Sequence, residues 1–363
     1  MKPAQPPASP VDRVVAEALA QHVAPGIQWA YARLQDRHIV EGCAGRLSDE
    51  DSSPQVTTET VFDLASLTKP MTALAAARLV TTGVVAWDAR CDEGSWHGDD
   101  PPALGALLSH RAGLTAWAPL YEAVGDATGE AAWRRALAAL QMAPRAVPRA
   151  GAQPEAVYSD LGYILAGRML EAVGGLPLSL LVAREVTAPL GLQRSLAFRG
   201  VGPQWRDPAV APTEACPWRG RVMQGEVHDE NAYALGGVAG HAGIFGTAGG
   251  LARLGLAVLA VHAGRSDWLS ADTLATMLAP QPGGSHRLGW DLRSGSQPSS
   301  GAAMGPNTFG HLGFTGTSLW CDPDAGVVVA LVTNRVHPRR DNLGIRAFRP
   351  AFHDAVMSVL GRT

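Results

Sequence analysis

The sequence predicts an α+β fold in which both ends of the chain build one sheet and a helical lobe is inserted between them. Short extended segments occur near the N-terminus and again after about residue 285, while alanine- and leucine-rich stretches of helical spacing fill the interval. A helix-like stretch also stands at each end of the chain. Two lobes of this kind leave a cleft between them. The expected organisation is a single domain over about 11–360. Its sheet lobe takes about 11–85 and 285–360, and its helical lobe about 86–284.

Val11 to Val23 carries helical apolar spacing and stops at Pro25-Gly26. Ile27 to Arg33 and Ile39 to Ala44 read as a hairpin turning around Gln35-Asp36. Phe62-Asp63-Leu64 leads to a helix that begins near Ser66 and runs to about Thr81, with Pro70 in its first turn and Gly83 past its end. Leu104 to Leu108, Glu130 to Leu140 and Asp160 to Val173 are helical, the last with an apolar face and a Gly174-Gly175 stop. Leu178 to Val186 reads as a further helix. Arg199 to Gly225 shows no period, and Gly236 to Gly250 is glycine-rich. Helices are expected at Leu251 to His262, Trp268 to Leu278 and Ala351 to Leu360. Strands are expected at Leu288 to Asp291, Thr317 to Asp322 and Val327 to Asn334, the latter two joined through Pro323 to Gly326.

The balance of 30 basic and 33 acidic side chains in 363 residues gives no electrostatic footprint for nucleic acid or an acidic membrane. Arg145 to Arg149 and Arg339-Arg340 read as solvated surface. Cys43, Cys91, Cys216 and Cys321 lack CxxC spacing and read as buried thiols. Val327 to Val332, the purest apolar run, is too short to span a bilayer. No apolar h-region follows a basic start, so cytoplasmic residence is expected, or periplasmic residence for a trimmed chain.

Lysine occurs only at Lys2 and Lys69; every other basic residue is arginine. Lys69 stands three residues after Ser66, and an amine can give up its proton where a guanidinium cannot. At a helix start the pair shares a face, the hydroxyl needs a base to become a nucleophile, and the positive helix end favours a neutral amine there. An N-cap serine followed by a surface lysine has the same spacing. Tyr158 opens Tyr158-Ser159-Asp160 at the start of the apolar-faced helix, where a phenol near a lysine can relay a proton. Packing by Tyr158 and capping by Ser159 or Asp160 is the plainer alternative. His311-Leu312-Gly313 precedes Phe314 and a strand; its glycine would admit a substrate carbonyl, and a loop histidine is otherwise polar surface.

Taken in order, Ser66-x-x-Lys69, Tyr158-Ser159-Asp160 and His311-Leu312-Gly313 resemble the serine beta-lactamase-like superfamily. The nearest branch contains class C beta-lactamases, low-molecular-weight penicillin-binding proteins and esterases. Phe62 to Pro70, Leu107 to Leu114, His228-Asp229-Glu230-Asn231, Gly240 to Gly243 and Val332 to Arg335 extend the resemblance over most of the chain. It implies a beta-lactamase/transpeptidase-like catalytic domain and an acyl-enzyme on Ser66. Lys69 and Tyr158 would share the proton transfers, and the backbone N–H groups of Ser66 and Phe314 would hold the oxyanion. Asp160, His311 and Gly313 would meet substrate.

Two departures matter. His311 takes the place of the usual KTG lysine, and Asp160 that of the asparagine in YxN, which exchanges an amide donor for an anion. They shift the expectation toward a carboxylesterase-like hydrolase acting on a small ester, amide or short peptide. D-alanyl carboxypeptidase or weak beta-lactamase activity is the alternative, and a catalytically silent ligand-binding homologue the alternative of another class. His228, Asp229, Glu230 and His241 invite a metal reading. Adjacent side chains rarely converge on one ion, however, so with Asn231 they are read as lining the cleft or ordering a loop. Neither metal nor cofactor is expected, and the oligomeric state is left open. Trp117, Trp205 and Trp218 are candidates for an apolar cleft wall.

Overall fold

The computed structural model describes residues 9–36, 38–92, 96, 100–144, 155–199 and 210–361. A reciprocal capping box between Ser9 and Asp12 starts α1 (Pro10–Ala20). The hairpin β1 (Gly26–Arg33) and β2 (Ile39–Gly45) follows, and β3 (Phe62–Asp63) leads into α2 (Thr68–Thr81). Next come α3 (Leu104–Leu108), α4 (Leu120–Val124), α5 (Gly129–Met142), α6 (Asp160–Gly174) and α7 (Leu178–Val182), the last running on as a π-helical turn to Thr187. Then follow β4 (Leu196–Phe198), β5 (Pro212–Cys216), β6 (Arg221–Gln224), α8 (Glu230–Ala234), β7 (Ile244–Gly246), α9 (Ala248–His262) and α10 (Ala271–Leu278). The chain closes with β8 (Asp291–Leu292), β9 (Phe309–Gly313), β10 (Thr317–Asp322), β11 (Val327–Thr333) and α11 (Ile345–Leu360).

One antiparallel sheet unites the two ends in the order β2-β1-β11-β10-β9-β8, with Ala30 of β1 opposite Ala330 of β11. Side chains of β11 alternate between two cores: Val328, Ala330 and Val332 face one, and Val327, Val329 and Leu331 the other. That is why its sequence reads as an unbroken apolar run. α1 and α11 pack together on the second face, with Trp29 and Phe352 edge to face. α9 packs on β1, β10 and β11, so the sheet also draws on a helix from the middle of the chain. α2 is buried nearly all round, packed against α6, α7 with its π-helical extension, and α10.

Several local expectations are corrected. Extended pieces occur inside the segments read as aperiodic or glycine-rich, where β5 pairs with β6 and β7 is found; β7 joins β3 and β4, the latter just ahead of the aperiodic segment, in a small sheet. Elements of three to five residues are too short to display a period. The strand expected at Leu288 to Asp291 begins only at Asp291, and α9 starts at Ala248 because Thr247 caps it. His311 lies within β9, buried, and not on a loop. Among the described residues no single helix is long and apolar enough to cross a membrane. The basic run 145–149 and Trp205 lie outside the described residues.

Candidate active site

Ser66 sits in a 3₁₀ turn, Ala65 to Leu67, that feeds α2. Ala65 is held at φ +47°, a left-handed conformation that costs a non-glycine residue energy. The Asp63 carboxylate holds the turn, accepting from the Ala65 N–H at 2.8 Å and from the His228 N–H at 2.7 Å. Burial nevertheless pushes Asp63 up from the ordinary carboxylate value.

Lys69, in the first turn of α2, is fully buried. Its Nζ donates to Ser66 Oγ at 2.8 Å and to Tyr158 Oη at 2.7 Å, and lies 2.7 Å from Asp160 Oδ1. Tyr158 and Asp160 flank the N-cap of α6, where Ser159 Oγ accepts from the Gly162 N–H. That cap is tied down because Ser159 N–H donates to His110 Nδ1 at 2.9 Å and Ser159 Oγ to the Thr115 carbonyl.

The charge state differs from the expected neutral amine. Burial alone would lower Lys69, but the Asp160 carboxylate and the Tyr158 oxygen outweigh it and raise its pKa. Burial also raises Tyr158, against the pull of Lys69. Both directions favour keeping protons on the pair, because the helix-end effect is weaker than a carboxylate in direct contact. Around it His110 and His286 are lowered, and His311 is pushed down to about 3, chiefly by burial, with Lys69 adding to the lowering of each; at His286 the Asp291 carboxylate acts in the opposite direction and Arg111 with the lowering. His311 donates from Nδ1 to the Leu312 carbonyl and stands 5.9 Å from the Tyr158 ring, behind the phenol.

The turn after β9 abuts the Ser66 segment. Thr315 Oγ1 donates to the Asp63 carbonyl at 2.7 Å, and Thr317 Oγ1 to the Leu64 carbonyl at 3.1 Å. A Cβ on Gly313 would stand 2.6 Å from the Leu64 oxygen, so the glycine serves close packing of this turn on the Ser66 segment. Among the described residues the Phe314 N–H finds no hydrogen-bond acceptor. The Phe314 ring lies between His228, stacked at 5.7 Å, and the Arg335 guanidinium, 4.7 Å from its centre.

A cleft of about 660 Å³ opens over Ser66, lined by Tyr158, Asp160, Gly313 and Phe314 and by Trp117, Asp229 and Arg346 among others. His228, Glu230 and His241 also reach it, whereas Asn231 is buried and bridges the Ala118 carbonyl and the Tyr121 N–H. The Trp218 ring lies tilted against Tyr121, their centres 4.6 Å apart. Donor atoms of Asp160, Asp229 and His241 lie within 4.8 Å of one another. Asp160 pairs with Lys69 and His241 Nε2 donates to Asp229 at 2.8 Å, while His241 Nδ1 has no hydrogen-bond partner among the described residues.

Glu214, which the sequence did not single out, braces the cleft floor between His228 Nε2 at 3.0 Å and Arg340 Nε at 2.8 Å. Burial acts to raise its carboxyl, but these partners bring it down from 4.5 to about 2. A group lowered on folding stabilises the native state above its unfolded value, and that contribution disappears as pH falls from 4.5 toward 2. Glu214→Gln is expected to flatten the pH dependence of the melting temperature in that interval; thermal unfolding at stepped acid pH measures it, and an unchanged slope refutes the brace.

Residues 11–349 match the Beta-lactamase family model. The chain belongs to the beta-lactamase family. Its fold is that of the family's serine hydrolases: it is similar to EstCE1, described as a hydrolase with promiscuous acyltransferase activity (TM-score 0.73, 22% identity, 96% of this chain and 97% of that one). It is also similar to the octameric penicillin-binding protein homologue from Pyrococcus abyssi (TM-score 0.71, 20% identity, 97% and 77%). In sequence it is 34% identical over 200 residues to an N-acetylmuramyl-L-alanine amidase of Bacillus subtilis (strain 168), covering 50% of this chain and 44% of that protein. A putative D-alanyl-D-alanine carboxypeptidase of Escherichia coli (strain K12) is 31% identical over 201 residues, 50% and 45% of the two chains. The match spans under half the length of either relative.

Proposed function

We propose that this family member is a serine acyl hydrolase that cleaves an ester or small amide through an acyl-enzyme on Ser66. The observation that carries the reading is the buried Lys69 amine in simultaneous contact with Ser66 Oγ and Tyr158 Oη. In this scheme Oγ bonds to the substrate carbonyl carbon while its proton enters the Lys69–Tyr158 pair. The carbonyl π electrons move to oxygen, where the N–H groups of Ser66 and Phe314 receive the negative charge. Collapse breaks the bond to the leaving group, which takes the proton from Tyr158, and water repeats the sequence to free the acid. A carboxylesterase-like preference follows from His311 and Asp160 in place of KTG lysine and YxN asparagine.

The second reading, a small peptide or amide substrate, is supported by the two relatives, whose names refer to N-acetylmuramyl-L-alanine and D-alanyl-D-alanine. The exposed Arg346 on the cleft wall would suit a substrate carboxylate. Parallel rates on short-chain aryl esters, a chromogenic cephalosporin, D-alanyl-D-alanine and N-acetylmuramyl-L-alanine separate the readings. Intact mass after fluorophosphonate treatment, with Ser66→Ala as control, tests both; no adduct on folded protein defeats them and favours a silent binding homologue.

In this mechanism the resting ammonium must lose a proton before it can accept one, so kcat/KM is expected to rise toward alkaline pH. Asp160→Asn removes the contact that raises Lys69, and the rising limb is expected to move to lower pH. A pH–rate profile on a neutral aryl ester measures this, and superposed limbs for the two proteins would exclude Asp160 as the control.

A further inference from the structure

We infer that Arg349 is a positioning residue for the oxyanion hole, acting through the Gly313–Phe314 peptide. This rests on the hydrolase reading above, in which the Phe314 N–H receives the oxyanion. Arg349 projects from the second turn of α11, at the border of the cleft, and is buried, with 8% of its surface exposed. Its Nη2 donates to the Gly313 carbonyl at 2.7 Å and to the Thr317 carbonyl at 3.0 Å, clamping the two strand ends of the β9–β10 turn. From the other side Arg335 donates to the Phe314 carbonyl from Nε at 2.9 Å and Nη2 at 2.6 Å. Two guanidiniums thus grip three carbonyls of one turn. Among the described residues neither forms an ion pair with a carboxylate.

The peptide plane explains what the clamp does. Gly313 C=O and Phe314 N–H belong to one planar unit and point in opposite directions. A cation held on the oxygen fixes where the N–H aims and draws electron density from it, which makes the N–H a stronger donor. Burying an uncompensated guanidinium is costly. The cost is offset when charge develops on the far side of the same peptide, as it does in the tetrahedral intermediate. Thr333 Oγ1 donates to the Gly316 carbonyl at 3.2 Å, so the turn cannot relax by rotating away from the clamp.

The test compares the full-length protein with Arg349→Lys and Arg349→Met. A neutral short-chain aryl ester is the substrate, and active sites are counted by fluorophosphonate. Per active site, kcat is expected to fall about tenfold for the lysine variant and roughly 10²-fold for the methionine variant, with KM within about threefold. The infrared carbonyl stretch of the trapped acyl-enzyme should move to higher frequency, because a weaker donor polarises the carbonyl less. The lysine variant keeps the charge and carries the test if the methionine variant does not fold. A fall that appears only in the count of active sites, with kcat per site unchanged, reduces Arg349 to a structural residue and overturns the inference. A rise in KM confined to carboxylate-bearing substrates overturns it too, because the guanidinium would then be binding substrate directly. If folded wild type does not label at Ser66, the hydrolase reading falls and this role with it; labelled wild type with unchanged Arg349 variants removes this role alone.

Discussion

Lys69→Arg is expected to lower kcat on aryl esters by roughly 10²–10⁴-fold while leaving the local charge unaltered. The substitution keeps a cation beside Asp160, so it isolates proton exchange from electrostatics. Arginine stays protonated, and its planar fork is wider than the ammonium that now contacts Ser66, Tyr158 and Asp160. Full burial of Lys69 makes the exchange steric as well, so the variant's fold must be checked by circular dichroism and its melting temperature. Fluorophosphonate labelling followed by mass then gives the rate of Oγ attack without any need for turnover. Near-native labelling and kcat in a folded arginine variant would remove the amine from the proton path and leave Tyr158 to act alone.

The parts of this site that were legible in the sequence are those fixed by short-range periodicity. Ser66 and Lys69 lie one helical turn apart, and the apolar face of α6 with its Gly174-Gly175 stop located the helix start that carries Tyr158. β11 was legible because both its faces are buried. β9 was not, since Phe309-Gly310-His311-Leu312-Gly313 offers two glycines and no apolar alternation, and His311 therefore read as a loop residue. The charge of Lys69 was also hidden. The helix-end argument is local, whereas the deciding contact comes from Asp160 on another helix. Asp63 and Arg335 lie in segments that carry the family resemblance, but nothing in those segments states their task, and Glu214 and Arg349 carry no pattern of their own. Each acts on backbone or side chains distant in sequence, and only the assembled sheet and turn give them a task.

Gly313→Ala is expected to lower kcat/KM by about 10²–10³-fold, the loss that follows removal of one oxyanion donor. The added methyl would meet Thr317 Oγ1 at 1.9 Å and the Leu64 carbonyl oxygen at 2.6 Å. The threonine can rotate, but the carbonyl cannot, because it is part of the turn that presents Ser66 and already accepts from the Leu67 N–H at 3.1 Å. The strand end must therefore withdraw, and the Phe314 N–H withdraws with it. A cost to stability of about 1–3 kcal/mol is expected from the overpacking. Adding Thr317→Ala relieves the hydroxyl clash and leaves the carbonyl clash, so the double variant should regain stability without regaining activity. Urea unfolding and ester kinetics on the single and double variants measure the two effects separately. If the double variant recovers kcat/KM together with stability, the lost activity reflects threonine packing, and close approach of this peptide to the nucleophile turn is not what catalysis needs.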